Sequence, residues 1–522
     1  MYDPVIGLEI HAQLLTRSKM FCACPVVDLT EAPPNSAVCE ICSGMPGTLP
    51  VVNEKAVEYA LRVALALECE IDPASIFARK NYFYPDLPKG FQISQYEEPL
   101  ARNGRLTFRL KGEYRTIRIR RVHLEEDTGK TIHVPADEGR GTAGTAPDSM
   151  TDHSEETAVP LQTPDSPIRP SAHPPIRPSA HSLIDLNRSG VPLLEIVTEP
   201  DLHSPEEVGA CARALRRLLQ YLDVNTGDME KGVLRIEPNV SVRPAGATEL
   251  GTRTEVKNLN SFRALERAVA FEIERQRIIL ESGGKIVQET VGWDEAAQAA
   301  VPQRGKEEAH DYRYFPEPDL PPLILAPEFI EQARAGLPER PHDRFLRYML
   351  EFGLGDYDAD VLTADRAVAD YYEAVVAHAP DAKTAANWIT GDLFALMNQA
   401  GDSIETIRIR PLDLAGLLGL LAEGTVNAAS AQKVLAEMYR TGKSPGEIVN
   451  ALDLAQVSDQ ETIAGWVREA LAENEEAVAE YAAGKTAIAN FLFGQVMRRS
   501  GGRADPGQVR TLLEQQLQDI IN

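Results

Sequence analysis

The chain has 522 residues, 43% apolar and 25% charged, with a formal net charge of −25. That length exceeds what one hydrophobic core supports, so two to four domains of ordinary globular composition are expected. No run approaches the roughly 18 apolar residues of a membrane span, and the opening MYDPVIGLEIH lacks a signal or transit pattern. A cytoplasmic location is expected. The acidic balance disfavours general attraction to nucleic acid, although a local basic patch would still serve.

Residues 3–133 alternate short β-type runs with turns. In Val5-Ile6-Gly7-Leu8-Glu9-Ile10-His11, strand alternation puts Glu9 and His11 on one face and Ile6, Leu8 and Ile10 on the other. Two such side chains can share a cation or flank a phosphate; a solvated polar face is the plain alternative. Cys22-x-Cys24 and Cys39-x-x-Cys42, with fourteen residues between, suit a tetrahedral structural Zn²⁺. Cys69 and Cys211 read as ordinary buried thiols.

Asn53 caps a helix running to Leu67. The phrase Arg79-Lys80-Asn81-Tyr82-Phe83-Tyr84 mixes cations with aromatics. It reads either as a phosphate or nucleotide contact or as a strand whose cations stretch to water. In His123-Leu124-Glu125-Glu126-Asp127, three carboxylates follow Arg118, Arg120 and Arg121. Such a cluster suits Mg²⁺ with a nucleotide, and a solvated turn is the competing reading.

Residues 134–181 are rich in Pro, Ser, Thr, Ala and Gly and contain PIRPSAH twice, so a flexible inserted loop is expected. Beyond it, Glu195 interrupts the apolar run Leu193-Leu194-Glu195-Ile196-Val197. A buried Glu is costly without a partner, so a ligand or a salt bridge is implied. Helices follow at Ser204–Leu222, opened by Ser-Pro-Glu-Glu, and at Ser261–Glu281, closed by Gly283 and Gly284. Residues 1–326 therefore read as an α+β domain with a mainly antiparallel sheet.

From residue 327 the chain is Ala/Leu-rich and helical. An all-α linker domain is expected over 327–407 and a small all-α tail over 408–522, with seven helices between Leu412 and Ile521. Lys485, Arg498, Arg499 and Arg503 lie near helix ends of that tail. They suit contact with a phosphate backbone, while Arg498 and Arg499 equally suit a helix C-terminus. There is no G-x-x-x-x-G-K-[ST] loop, no G-x-S-x-G elbow and no dinucleotide fingerprint after a strand.

Six phrases taken together, VIGLEIHAQL, PGTLPVVN, RKNYFYPDLPKGFQISQY, LNRSGVPLLEIVTEPD, EVKNLNSF and DYRYFPEPDLPPL, resemble the GatB subunit of the tRNA-dependent amidotransferases of the GatCAB type, in that family's order. The resemblance covers nearly the whole chain outside 134–181. It implies a ligase that converts misacylated Glu-tRNA(Gln) or Asp-tRNA(Asn) to the amide, using ATP and ammonia. It implies a heterotrimer with an amidase subunit (GatA) and a small third subunit (GatC), and a non-discriminating aminoacyl-tRNA synthetase as a further candidate partner. Carried over, His11, Glu126 and Glu195 would hold Mg²⁺, or Mn²⁺ given the imidazole. Glu9 and Glu125 would support or replace them in catalysis, and Lys80 with Arg79 would neutralise ATP phosphates. Cys22, Cys24, Cys39 and Cys42 would form a structural Zn²⁺ knuckle, and the tail would contact tRNA. A non-catalytic zinc-containing tRNA-binding adaptor is the alternative; it would leave Glu195 without a purpose.

Overall fold

The computed structural model describes residues 2–134, 181–302, 312–457 and 459–521. Its strands are β1 (Tyr2–Gln13), β2 (Glu70–Ile71), β3 (Ala74–Ser75), β4 (Ala78–Asn81), β5 (Phe91–Ser94), β6 (Ala101–Leu110), β7 (Glu113–Glu126), β8 (Lys130–Val134), β9 (His181–Asp185), β10 (Pro192–Thr198), β11 (Leu234–Pro244), β12 (Thr254–Lys257), β13 (Glu289–Asp294), β14 (Ala299–Pro302), β15 (Phe315–Pro316) and β16 (Leu323–Ile324). Nine of them form one sheet in the order β14-β13-β12-β11-β1-β10-β7-β6-β2. Every pairing is antiparallel except β12 with β13. The expected α+β domain with a mainly antiparallel sheet is thus the observed one.

Alternation along β1 decides which face is covered. Ile6, Leu8, Ile10 and Ala12 are buried in the main core, and Val122, Leu124, Leu194, Ile196, Leu234 and Ile236 of the neighbouring strands join them. Helices α1 (Glu54–Ala66), α2 (Pro205–Tyr221) and α3 (Phe262–Glu281) contribute to the same core. Each fully buried Leu or Ile contributes roughly 1.5–3 kcal/mol, so this layer holds the sheet against its helices. The caps are those read from sequence: Asn53 accepts from the N–H groups of Lys55 and Ala56, Ser204 from Glu207 and Ser261 from Ala264. A small sheet, β15-β4-β5, lies beside the end of β7. There the Gln95 side chain accepts from the Leu124 N–H at 3.0 Å.

The helical half comprises α4 (Pro327–Ala335), α5 (Pro341–Glu351), α6 (Asp356–Leu362), α7 (Arg366–Val376), α8 (Ala382–Trp388), a π turn (Ile389–Leu393), α9 (Phe394–Ala400), α10 (Pro411–Ala422), α11 (Ala428–Thr441), α12 (Pro445–Ala451), α13 (Gln460–Glu473), α14 (Glu475–Ala482), α15 (Ile488–Arg499) and α16 (Pro506–Ile521). The apolar faces of α5–α16 make two cores, one spanning Phe345 to Leu454 and one spanning Ile463 to Leu517, while Ala333 of α4 packs on Leu61 and Leu65 of α1. The division expected at 408 runs through the first of these, because Leu414, Leu417 and Leu418 of α10 pack with Tyr371, Tyr372 and Trp388. The Tyr221 hydroxyl donates to the Thr363 carbonyl at 2.7 Å, and Arg217 pairs with Asp360 at 2.8 Å, tying α2 to α6.

Backbone pairing of β8 with β9 brings Val134 opposite His181. The intervening segment, where an inserted loop was expected, lies outside the described residues, as do His310 and Asp311. Among the described residues no helix is long and apolar enough to cross a membrane.

Candidate active site and thiol cluster

Three adjacent strands build the site. Their register places His11 of β1 opposite Glu195 of β10, and Glu195 opposite His123 of β7. All three side chains project from the face opposite the apolar core, and Glu125, two residues beyond His123, shares that face. The result is a compact polar group in the middle of a large sheet. His11 Nε2 lies 3.5 Å from Glu195 Oε2 and 3.8 Å from Glu125 Oε1. His123 Nε2 lies 3.4 Å from Glu195 Oε2. The ligand atoms of His11, Glu125 and Glu195 all fall within 4.8 Å of one another.

The electrostatics are those of a site that wants a positive charge. Burial pulls the His11 imidazole down, but its hydrogen bond to Glu195 and the charges of Glu195, Glu237 and Glu125 outweigh that and lift it from 6.5 to about 9. Burial pushes the Glu195 carboxyl up, yet His123 and His11 hold it well below the usual range. With both carboxylates buried, an imidazolium supplies the charge that a bound cation would otherwise bring. Carboxylate and imidazole donors this close together fit a divalent metal ion.

Cations line the rim. Lys80 of β4 faces the site: burial lowers its ammonium, and Tyr314, Glu125 and Glu195 more than restore it, so it stays charged. Its Nζ sits 5.1 Å from the Tyr312 ring. Arg121 reaches Glu195 Oε1 at 3.5 Å. Arg235, paired across β1 with His11, bonds Asp127 at 3.2 Å. Burial raises Asp127, but Arg235 and Arg188 win and lower it to about 2. Asn239 donates to Glu9 Oε1 at 3.1 Å, which anchors Glu9 on the same face, one alternation from His11. The rings of Tyr96 and Tyr314 stack at 4.2 Å beside this rim.

Two expected residues turn away. Glu126 lies on the opposite face of β7 from Glu125; it pairs with Lys89 and accepts the Ile93 N–H at 2.9 Å. Arg79 likewise alternates with Lys80 and forms a two-pronged ion pair with Glu317 at 2.7 and 2.8 Å. His123, Arg121 and Tyr314 lie inside phrases quoted from the sequence but carry no site role there, and Arg235 is not singled out. Period-2 counting back from Glu125 would have placed His123 and Arg121 on its face; nothing local marks Arg235.

The four cysteines come together as the spacing suggested. Sγ atoms of Cys22, Cys24, Cys39 and Cys42 lie within 4.8 Å of one another, and Cys39 and Cys42 are 3.9 Å apart. A Zn–S distance near 2.3 Å implies a tetrahedral S···S edge of roughly 3.8 Å, so the donor set fits the ion. The Cys39 N–H bonds Cys42 Sγ at 3.2 Å and the Lys19 ammonium approaches it at 3.5 Å. The hydrogen bond from Cys22, with these two donors, lowers the Cys42 thiol to about 4 against the opposing effect of burial. Gly190 (φ 81°) packs on this knuckle, where a Cβ would press on Cys42 at 3.3 Å.

In the tail, Lys485 pairs with Glu480 at 3.2 Å, Arg499 with Glu469 and Glu473 at 2.5 and 2.7 Å, and Arg503 with Asp453. Arg498 is exposed on the last turn of α15.

A nine-stranded, mainly antiparallel platform with this cluster, followed by a helical tail, falls in the class described as the GatB/GatE catalytic domain. That family model matches residues 4–147 and 171–331, and a second model, the GatB domain, matches residues 370–517. Curated relatives described as the B subunit of aspartyl/glutamyl-tRNA(Asn/Gln) amidotransferase match along nearly their whole length. The Thermomicrobium roseum protein is 48% identical over 100% of this chain and 99% of its own. Those of Moorella thermoacetica and Herpetosiphon aurantiacus are 47% and 46% identical over 99% of this chain, covering 100% and 99% of their own. The chain belongs to the GatB family of amidotransferase subunits.

Proposed function

We propose that this chain is the kinase and transamidase subunit of a tRNA-dependent amidotransferase, a carbon–nitrogen ligase working with a separate amidase subunit and a small third subunit. Its substrates are misacylated Glu-tRNA(Gln), Asp-tRNA(Asn) or both, delivered by a non-discriminating synthetase. The observation that carries the reading is the convergence of His11, Glu125 and Glu195 on one sheet face with the Lys80 ammonium beside them.

A side-chain carboxylate is a poor electrophile. In the proposed first step its oxygen forms a bond to the γ-phosphorus of ATP as the bond to the β-phosphate oxygen breaks, releasing ADP. Ammonia then forms the C–N bond, phosphate leaves with the acyl oxygen, and the extra proton passes to phosphate or solvent. A divalent cation bound at the cluster would supply charge neutralisation for the phosphates. His11, Glu125 and Glu195 are the residues placed to hold it. Lys80, kept charged by the two carboxylates, would offset phosphate charge as it shifts to the leaving oxygen. Arg121 braces Glu195, and Asp127 orients Arg235 at the edge of the same face. The four thiolates, with no open position, would hold a structural Zn²⁺ remote from the chemistry.

A non-catalytic adaptor would have no use for two buried carboxylates and an imidazole facing one another. The test is Glu195→Gln, assayed with ATP, glutamine and each misacylated tRNA in the assembled complex. Amidation per folded molecule should fall about a hundredfold or more while glutamine hydrolysis holds. Near-normal turnover in a protein of lowered melting temperature would overturn the reading in favour of a structural ion pair.

A further inference from the structure

We propose that Lys19 is the counter-cation of the four-cysteine knuckle, and the residue through which a Zn²⁺ held there fixes the turn over residues 186–190. The inference rests on the zinc reading of the four thiols and is independent of the amidation chemistry.

A lysine inside a protein is an exception that calls for an anion. Lys19 is fully buried, at 0% exposure. Among the described residues no carboxylate pairs with its ammonium. Nζ lies 3.5 Å from Cys42 Sγ and donates to the Leu186 carbonyl at 3.2 Å. A neutral carbonyl satisfies one proton but does not offset a buried charge. The sulfur is the group beside it that can. Four thiolates around a divalent ion leave an excess of negative charge, and a centre of that kind is itself in want of a cation. Cys42 is the thiol of the four that is buried, while Cys22, Cys24 and Cys39 are partly open to solvent. The ammonium therefore meets the sulfur that water reaches least, where a compensating charge counts most.

The backbone roots Lys19 between the parts of the knuckle. Its N–H donates to the Cys24 carbonyl at 2.9 Å, so it closes the first cysteine loop, and the Asn53 side chain donates to its carbonyl at 3.1 Å. The next residue, Met20, donates its N–H to the Gly190 carbonyl at 2.7 Å. The side chain crosses from that loop to Cys42 of the second.

The turn is the other end of the bridge. The Leu186 carbonyl accepts from Lys19 and from the Ser189 N–H at 3.0 Å, and the Ser189 hydroxyl donates to the Cys42 carbonyl at 2.9 Å. The same turn sends Arg188 to the carbonyls of Thr128 and Gly129 at 2.9 and 2.6 Å, and the Gly190 N–H to the Asp127 carbonyl at 2.9 Å. Asp127 in turn holds Arg235 at the edge of the candidate site. Lys19 thus ties the knuckle to a turn that abuts the catalytic face without entering it.

The experiment compares the full-length wild type with Lys19→Met and Lys19→Arg. Zinc affinity is measured by competition with a chromophoric chelator, and melting curves are taken with zinc loaded and with zinc stripped. Lys19→Met should bind zinc at least about tenfold more weakly, as the loss of a partner around a metal site does. Lys19→Arg should recover most of that affinity, because the charge is what the sulfur needs. The drop in melting temperature of Lys19→Met should be larger in the loaded protein than in the stripped one. Amide hydrogen exchange over 186–190 should quicken in the same variant. Unchanged zinc affinity in Lys19→Met, or an equal drop in melting temperature with and without zinc, would overturn the proposal and leave Lys19 serving the fold through Leu186 alone. Should Lys19→Met fail to fold, a folded, zinc-retaining Lys19→Arg sustains the proposal, and an arginine variant that also fails to fold overturns it. A wild type that takes up no zinc removes the knuckle reading itself, an outcome distinct from zinc bound with unaltered affinity in the variants.

Discussion

Glu125 and Glu126 differ by one position on β7, and the pleat sends the first toward His11 and the second to Lys89. Glu125→Gln should weaken Mn²⁺ binding at least about tenfold, by analogy with the loss of partners at metal sites. Glu126→Gln should leave that affinity unchanged and lower the melting temperature instead, because Lys89 loses its counter-charge. Metal titration and thermal unfolding of both variants check this. The same logic separates Lys80 from Arg79. Arg79→Ala strands Glu317, which is 1% exposed, and should cost about 3 kcal/mol in denaturant unfolding.

At the level of elements, the polar period of β1, the caps Asn53, Ser204 and Ser261 and the thiol spacing were all legible from the chain. The membership of the His11, Glu125 and Glu195 cluster was only half legible. Which of two neighbouring side chains meets His11 depends on parity across β1, β10 and β7, and that parity is set by pairing over long sequence distances. The surroundings of the tail cations were hidden for a similar reason: Arg503 finds Asp453 fifty residues away, which local composition does not reveal. In the knuckle, Cys39→Ser should lower zinc content and destabilise the N-terminal region, as metal analysis and thermal unfolding would show. Between α5 and α7, burial raises the Glu373 carboxyl, but Arg344, Arg347 and Tyr348 more than reverse this and hold it below its ordinary 4.5. A lowered carboxyl contributes stability that is complete above the unfolded value and is lost as pH falls through the folded one. The helical half should therefore weaken below about pH 4.5, and Glu373→Gln should flatten that dependence in a pH series of melting curves.

On the scale of the whole molecule, three large cores follow one another along the described residues, with a small cluster joining α1 to α4. The last, from Ile463 to Leu517, is closed on itself, while α10–α12 belong to the core before it. Truncation after 457 is thus the clean cut, whereas truncation at 408 would open the second core. If the tail carries the tRNA contact, the shorter deletion should raise KM for aminoacyl-tRNA and leave glutamine hydrolysis intact. With Arg498 exposed and its basic neighbours held by acids, the contact should be weak per charge and fade with salt. A filter-binding series over ionic strength would measure the slope, and equal affinity with and without the tail would remove its role.

The β8–β9 pairing has an engineering corollary. Because Val134 and His181 already face each other across a ladder, the two cut ends need no scaffold to find one another. The number of residues joining these two ends should be adjustable at little cost, since each doubling of loop length costs only about 0.6 kcal/mol. Residues 135–180 should be exchangeable for an Asn-Gly turn, which suits a two-residue hairpin. A fluorescent or affinity module should be accepted at the same place, giving a handle on the assembled enzyme that leaves the catalytic face untouched.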